Sequence, residues 1–216
     1  EGPFVAVNCG AIPDNLVESE LFGHVKGAFT GANDNHKGLF REAHMGTLFL
    51  DEVAELSLDS QVKLLRALQN RSVRPVGDTT EYPFDARIIS ATHEDLKARV
   101  EQGTFREDLY YRLIVFDLEV PALRQRPEDI PSLIKTFLRE WGAQREVAED
   151  TMDILQRYPW PGNIRELENE LRRALVIAEE GPIKPTALSK KLRNFVAKRA
   201  RNMRQMCAAL GVADAY

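Results

Sequence analysis

The sequence predicts a mostly parallel α/β sheet with helices on both faces, followed by a wholly helical region. Two observations carry that prediction. Up to about residue 125, short continuous apolar runs alternate with helical patterns, which is the signature of strands joined by helical crossovers. From about Pro127 onward only the 3.6-residue period remains.

Each element has a local reason. Phe4–Val7, Thr47–Leu50, Ala86–Ala91 and Ile114–Leu118 are apolar, too short for helices and bounded by polar or turn residues, so they are expected as buried strands. Ser57 is an N-cap candidate for a helix reaching about Gln69, with Val62, Leu65 and Leu68 on one face. Pro127 suits a first helical position, and Glu128 and Asp129 suit the positive end of the helix dipole. Ile130, Leu133, Ile134, Phe137, Leu138 and Trp141 then form a helical stripe. Asn163 is an N-cap candidate with Glu166 three residues on, heading a helix with Ile164, Leu167, Leu171 and Leu175 on its face. Gly181-Pro182 ends it. The expected divisions are an α/β part over 1–125, a helical subdomain over 126–181 and a basic tail over 182–216.

The bulk numbers exclude several classes. The 216 residues, 44% hydrophobic and 29% charged, suit an ordinary globular protein, with no apolar run of membrane-spanning length. Cys9 and Cys207 give no disulfide framework, which fits a reducing, cytoplasmic setting. His24, His36, His44 and His93 lack metal-ligand spacing, so no zinc site is expected. Residues 181–216 hold eight basic residues against the single acid Asp214, a charge of +7, which leaves −11 on residues 1–180. A basic tail on an acidic body fits a nucleic-acid contact, and equally a solvated lysine-rich helix face.

Three stretches carry candidate chemistry. Gly27-Ala28-Phe29-Thr30-Gly31-Ala32 brackets an aromatic and a hydroxyl between glycines, a pattern foreign to helix and strand interiors. It reads as a loop tip offering Phe29 and Thr30 to a partner, or as a loop whose Phe29 tucks into the core. Gly46-Thr47-Leu48-Phe49-Leu50-Asp51-Glu52 is an apolar strand ending in two acids, the Walker B pattern. A first acid there can hold Mg²⁺ and a second can orient or deprotonate a water. Arg106 and Arg112 offer guanidinium forks for phosphate oxygens, or surface pairs for Glu107 and Asp108. Arg165 is a third such cation, with Glu166 and Glu168 as its alternative partners.

Taken in order, ELFGHVKGAFTGA, GTLFLDE, FREDLYYRL, LRQRPEDIP and WPGNIRELEN resemble the central AAA+ domain of bacterial sigma-54-dependent transcription activators. The resemblance spans residues 3–180. It implies a P-loop-type parallel sheet flanked by helices, a helical lid and a short helical tail. It implies ATP and Mg²⁺ as cofactors, with Asp51 holding the metal and Glu52 activating the hydrolytic water. Asn8 resembles the asparagine that holds the catalytic glutamate, and Thr92-His93 falls at the first sensor. Arg165 matches the second sensor, and Arg106 and Arg112 resemble arginine fingers acting on a neighbour's nucleotide. Gly27, Ala28, Phe29, Thr30, Gly31 and Ala32 would contact the sigma-54 factor, and Arg74-Pro75-Val76-Gly77 resembles the second loop that moves with them. Asn202, Leu210, Gly211 and Val212 have the spacing of the family's Fis-type helix-turn-helix. The implied partners are sigma-54 and its RNA polymerase holoenzyme, enhancer DNA, and further copies of the chain in a ring, a hexamer, with no membrane.

Two departures qualify the resemblance. No G-x-x-x-x-G-K-[S/T] occurs in these residues, so the chain by itself is expected to bind ATP poorly and not to turn it over. Ile114 stands where many relatives carry Asn. A rival reading is therefore a non-catalytic form that binds sigma-54, or mixed rings, without hydrolysis. Another kind of AAA+ remodeller, such as a helicase loader, is a further alternative, against which the intact GAFTGA argues.

Overall fold

A computed structural model describes residues 2–178, 181–195 and 197–198. Asn202, Leu210, Gly211 and Val212, for which a helix-turn-helix is expected, and Cys207 lie outside the described residues. The chain divides into two compact units, Glu1–Asp117 and Leu118–Tyr216.

The first unit runs β1 (Phe4–Asn8), α1 (Asp14–Phe22), α2 (Leu39–Glu42), β2 (Thr47–Asp51), α3 (Leu58–Asn70), β3 (Ser72–Val73), β4 (Tyr82–Pro83), β5 (Arg87–Ser90), α4 (Leu96–Glu101) and α5 (Glu107–Leu113). β1, β2 and β5 form a parallel sheet in that order, with Asn8 beside Asp51 and Leu50 beside Ser90. All three strands therefore end on one side, where ligands of open α/β sheets bind. β2, the central strand, buries Leu48 and Leu50 completely. Phe40 stacks on Phe22, with centroids 5.6 Å apart, and meets Phe84 at 4.9 Å, so α1, α2 and the approach to β5 close one core. Ser57 caps α3 as expected, accepting the Ser60 amide at 3.3 Å, and Leu64, Leu65 and Leu68 are buried beneath it.

The run Ile114–Leu118 is not the buried strand expected of it. Residues 114–118 have no strand conformation, and Val115, Phe116 and Leu118 are 85%, 80% and 76% exposed. An apolar run becomes a strand only when a neighbour supplies the ladder. Among the described residues β5 pairs only with β2, and nothing pairs with 114–118.

The second unit packs α6 (Ile130–Glu140), α7 (Glu149–Arg157) and α8 (Asn163–Ile177) around Ile134, Leu155, Trp160, Leu167 and Leu171, all but Ile134 fully buried. Asn163 is not the N-cap. It is the first residue of α8, at φ +49°, and its Oδ1 accepts the Leu123 amide at 2.9 Å. Glu166 still makes the reach-back expected of it, accepting the Gly162 amide at 2.8 Å. Its other oxygen accepts from Lys191 at 2.6 Å, so this cation of the basic segment serves the fold.

Candidate functional site: two loops and a strand-end acid cluster

The GAFTGA loop rises from a stem tied to the second loop. His24 and His36 exchange backbone bonds across the stem, at 3.0 and 2.8 Å. The Val25 amide donates to the Val76 carbonyl at 3.1 Å, and the Val76 amide donates to Gly23 at 2.8 Å. The two loops are thus joined by main-chain bonds, and displacing one strains the other. Within the tip, Gly27 donates to Ala32 at 2.8 Å and Ala32 to Phe29 at 3.0 Å. Gly27 and Gly31 have φ of +81° and +106° with open space at the Cβ position, so their role is conformational rather than steric. Phe29 is neither wholly buried nor free. It is 36% exposed and lies edge-on to the His24 ring at 5.1 Å, while Thr30 is exposed. His24 is fixed in turn by Ser19, whose Oγ lies 2.6 Å from Nδ1. In the second loop, Gly77 has φ +82°, and a Cβ there would stand 2.7 Å from that of Ala28. Arg74 pairs with Glu81 at 3.3 Å. The Ser72 hydroxyl first, and Arg74 second, hold the Glu81 carboxyl below its ordinary range.

The second cluster stands at the strand ends. After Leu50 accepts the Ala91 amide at 2.8 Å, an undisturbed parallel ladder would return the Glu52 amide to the Ala91 carbonyl. Val53 makes that bond instead, at 3.1 Å. One extra residue is accommodated as in a bulge, and Glu52 is thrown into the left-handed region, φ +54° and ψ +48°. Its amide turns to Asp51 Oδ1 at 3.1 Å. Its carboxylate meets His93, with Oε2 2.7 Å from the ring Nδ1 and 3.4 Å from the backbone nitrogen. Glu52 raises the His93 pKa, first through this hydrogen bond and then through its charge, with Glu94 and Glu55 adding smaller effects.

Of the expected site residues, the structure brings Glu52 and His93 into contact and sets Asn8 beside Asp51 across the sheet. Asn8 does not hold Glu52 here. Its Oδ1 accepts the Ala11 amide at 3.2 Å, capping the turn after β1, because that amide lies three residues on in the same chain. Arg106 forms a two-point pair with Asp108, at 2.7 and 3.0 Å, and Arg112 donates to the Leu68 carbonyl at 2.9 Å. Arg165 is exposed in the first turn of α8, in the other unit.

Sequence reasoning missed Gln61. It is fully buried in α3, donates to the Leu56 and Thr104 carbonyls at 2.7 and 3.2 Å, and accepts the Arg106 amide at 2.9 Å. It thereby fixes the start of α5, which carries Arg112 and has Arg106 at its N-cap position. The available signal was an amide side chain next to the apolar stripe of an amphipathic helix. Cys9 lies beside the cluster, where burial first and the charge of Asp51 second push its thiol up to about 12.

The chemistry of this end suits the metal and water side of a phosphoryl-transfer site. Asp51 offers a strand-end carboxylate, and a hard divalent cation held largely by waters and phosphate oxygens needs one or two such ligands. Glu52, one residue further, is the second acid of the strand end.

The comparisons with known proteins agree in both units. A family described as the Sigma-54 interaction domain matches residues 1–119, and one described as the AAA+ ATPase lid domain matches residues 124–205. The response regulator protein PilR of Pseudomonas aeruginosa is 53% identical over 190 residues, 86% of this chain and 43% of PilR. The acetoin dehydrogenase operon transcriptional activator AcoR of Bacillus subtilis is 50% identical over 188 residues, 87% of this chain and 31% of AcoR. The DNA-binding transcriptional regulator NtrC of Azospirillum brasilense is 52% identical over 176 residues, 80% of this chain and 37% of NtrC. The chain spans less than half the length of these relatives. Among solved structures, NtrX from Brucella abortus in complex with ATP superposes with a TM-score of 0.80 at 37% identity, covering 90% of this chain and 44% of NtrX.

Proposed function

This chain belongs to the Sigma-54 interaction family of AAA+ domains, and from that premise we propose that the protein containing it drives sigma-54 RNA polymerase from closed to open promoter complexes. Copies assemble into a ring, a hexamer, in the cytoplasm, and ATP is hydrolysed between neighbours. Each residue has a role in this reading. Asp51 would hold Mg²⁺, which when bound would supply positive charge to the phosphate oxygens of the nucleotide. Glu52 takes the proton of the attacking water. Arg106 and Arg112 act on the neighbour's nucleotide, which requires each to leave its present partner, Asp108 or the Leu68 carbonyl. Arg165 senses the nucleotide from the lid, and DNA is bound through the C-terminal region.

The observation that carries the reading is the GAFTGA tip itself. Phe29 and Thr30 stand on a stem whose main chain is bonded to the Arg74–Gly77 loop, so the two loops move as a unit. The test is an open-complex assay with full-length protein, sigma-54 holoenzyme and ATP. Wild type forms open complexes, and Thr30→Ala keeps hydrolysis but forms few. Equal yields from the two would overturn the loop assignment.

A further inference from the structure

We propose that Arg41 and Tyr82 clamp the returning arms of the two loops: the Arg41 guanidinium, lying on the Tyr82 ring, holds the second-loop hairpin against α2. Arg41 is thereby a positioning residue for the tip. The proposal rests on the functional reading above, in which the tip works on sigma-54. It adds the side-chain contact that ties the chain where it leaves each loop.

Three observations carry it. First, the main-chain bonds between the loops leave the returning arms untied. They join Gly23 and Val25, on the arm entering the first loop, to Val76 inside the second. The first loop leaves through Gly38 straight into α2, and the second leaves through β4. Gly38 has φ +82°, and a Cβ there would stand 2.4 Å from the Gly23 nitrogen. The base of the first loop is therefore closed, and a shift of α2 is a shift of the stem.

Second, α2 meets the end of the hairpin at two levels. Phe40 and Phe84, both buried, lie 4.9 Å apart. At the next residue of α2, the Arg41 Cζ lies 3.9 Å from the centre of the half-buried Tyr82 ring. A guanidinium over an aromatic face is attracted by the negative face of the ring, and part of that attraction survives at the surface. The buried pair anchors the seam, and the outer pair keeps the hairpin lying on it.

Third, the three carboxylates of the hairpin are engaged elsewhere. Glu81 accepts from Ser72 at 2.9 Å and from Arg74 at 3.3 Å, and Asp85 pairs with Arg71 at 3.4 Å. Asp78 accepts the Thr80 amide at 3.0 Å through Oδ1 and the Tyr82 hydroxyl at 3.3 Å through Oδ2. The ring, rather than an acid, is thus what the guanidinium meets. The hydroxyl bond to Asp78 also fixes the far edge of the ring and pushes electron density into it, which strengthens the attraction.

Two measurements test the proposal. In this chain, amide exchange reads the clamp without nucleotide or partner. In Arg41→Gln the Val76 amide and the Phe84 amide, which is bonded to the Arg71 carbonyl at 2.9 Å, exchange about threefold faster, while the core amides of α3 keep their rates. Arg41→Lys, which keeps a cation, recovers part of the protection. Tyr82→Phe keeps the ring and loses only the hydroxyl, so adding Arg41→Gln to it still accelerates exchange. Adding Arg41→Gln to Tyr82→Leu does not. In full-length protein with sigma-54 holoenzyme, Arg41→Gln keeps kcat and KM for ATP within about twofold of wild type, forms about half the open complexes or fewer, and is rescued by Arg41→Lys. Wild-type exchange in Arg41→Gln, or equal acceleration in the Phe and Leu backgrounds, overturns the clamp. A wild-type yield of open complexes, or a kcat that falls in step with the yield, overturns the positioning role. If full-length wild type forms no open complexes, the functional reading fails, while exchange still decides the clamp.

Discussion

Replacing Gln61 by Met measures how much of the first unit depends on one buried amide. Met keeps the length and unbranched shape of the side chain and removes all three of its hydrogen bonds. The Leu56 and Thr104 carbonyls and the Arg106 amide, bonded at 2.7, 3.2 and 2.9 Å, each lose a partner inside the protein. The Leu56 bond is buried and the other two are partly buried; a buried group left without its partner costs about 1–3 kcal/mol, so the lower figure for each gives about 3 kcal/mol as the upper expectation. At about 1.4 kcal/mol per decade, amide exchange from the core of α3 in Gln61→Met should accelerate by up to about two orders of magnitude. The two tryptophans, Trp141 and Trp160, both lie in the second unit, so their fluorescence in the native chain serves as a control and should not change. Gln61→Glu keeps the acceptor for Arg106 but loses both donors and buries a charge. It should be at least as destabilising at pH 7 and should recover partly in acid, where the protonated carboxyl can donate again. Exchange within about twofold of wild type for Gln61→Met, a change under about 0.5 kcal/mol, would refute the reasoning.

Gly77→Ala should loosen the loop pair: the positive φ costs about 1–2 kcal/mol for a residue with a Cβ, and the new atom lies 2.7 Å from Ala28. The amides of Val25 and Val76 should then exchange about tenfold faster while those of α3 do not change, and unaltered Val76 protection would contradict the close approach. Cys9 should resist alkylation in the folded chain at pH 8 and react on addition of urea, as read by mass spectrometry of its peptide. Because the folded thiol holds its proton up to about 12 while the unfolded one releases it near 9.0, the folded chain binds more protons between those values, and stability falls as pH rises through that window. A pH-independent unfolding midpoint there would remove Cys9 from the account.

The parts of the fold that were legible are those with local causes. Ser57 capped α3 because the Ser60 amide that donates to its hydroxyl is three residues away, and β2 read as a strand because its apolar run ends abruptly in Asp51 and Glu52. Ile114–Leu118 carried the same apolar signal and formed no strand, because a strand also needs a partner and a run of residues cannot state whether one is there. Asn163 had the residue type and spacing of a cap, yet its side chain was claimed by the Leu123 amide, 40 residues earlier.

The site divides along the same line. By itself the sequence determined the chemistry: two acids at a strand end, arginines, and a glycine-bracketed Phe-Thr tip, each recognisable because a short stretch holds the whole motif. Only the tertiary structure decided which of them meet. His93 reaches Glu52 across 41 residues because the parallel register of β2 and β5 brings their ends level and one surplus residue turns the acid toward the ring. The Val76 loop is bonded to the GAFTGA stem for a similar reason, since its partners Gly23 and Val25 lie some fifty residues before it. Residue type is a property of the chain at a point, whereas a hydrogen bond between distant residues is a property of the packing that brings them together.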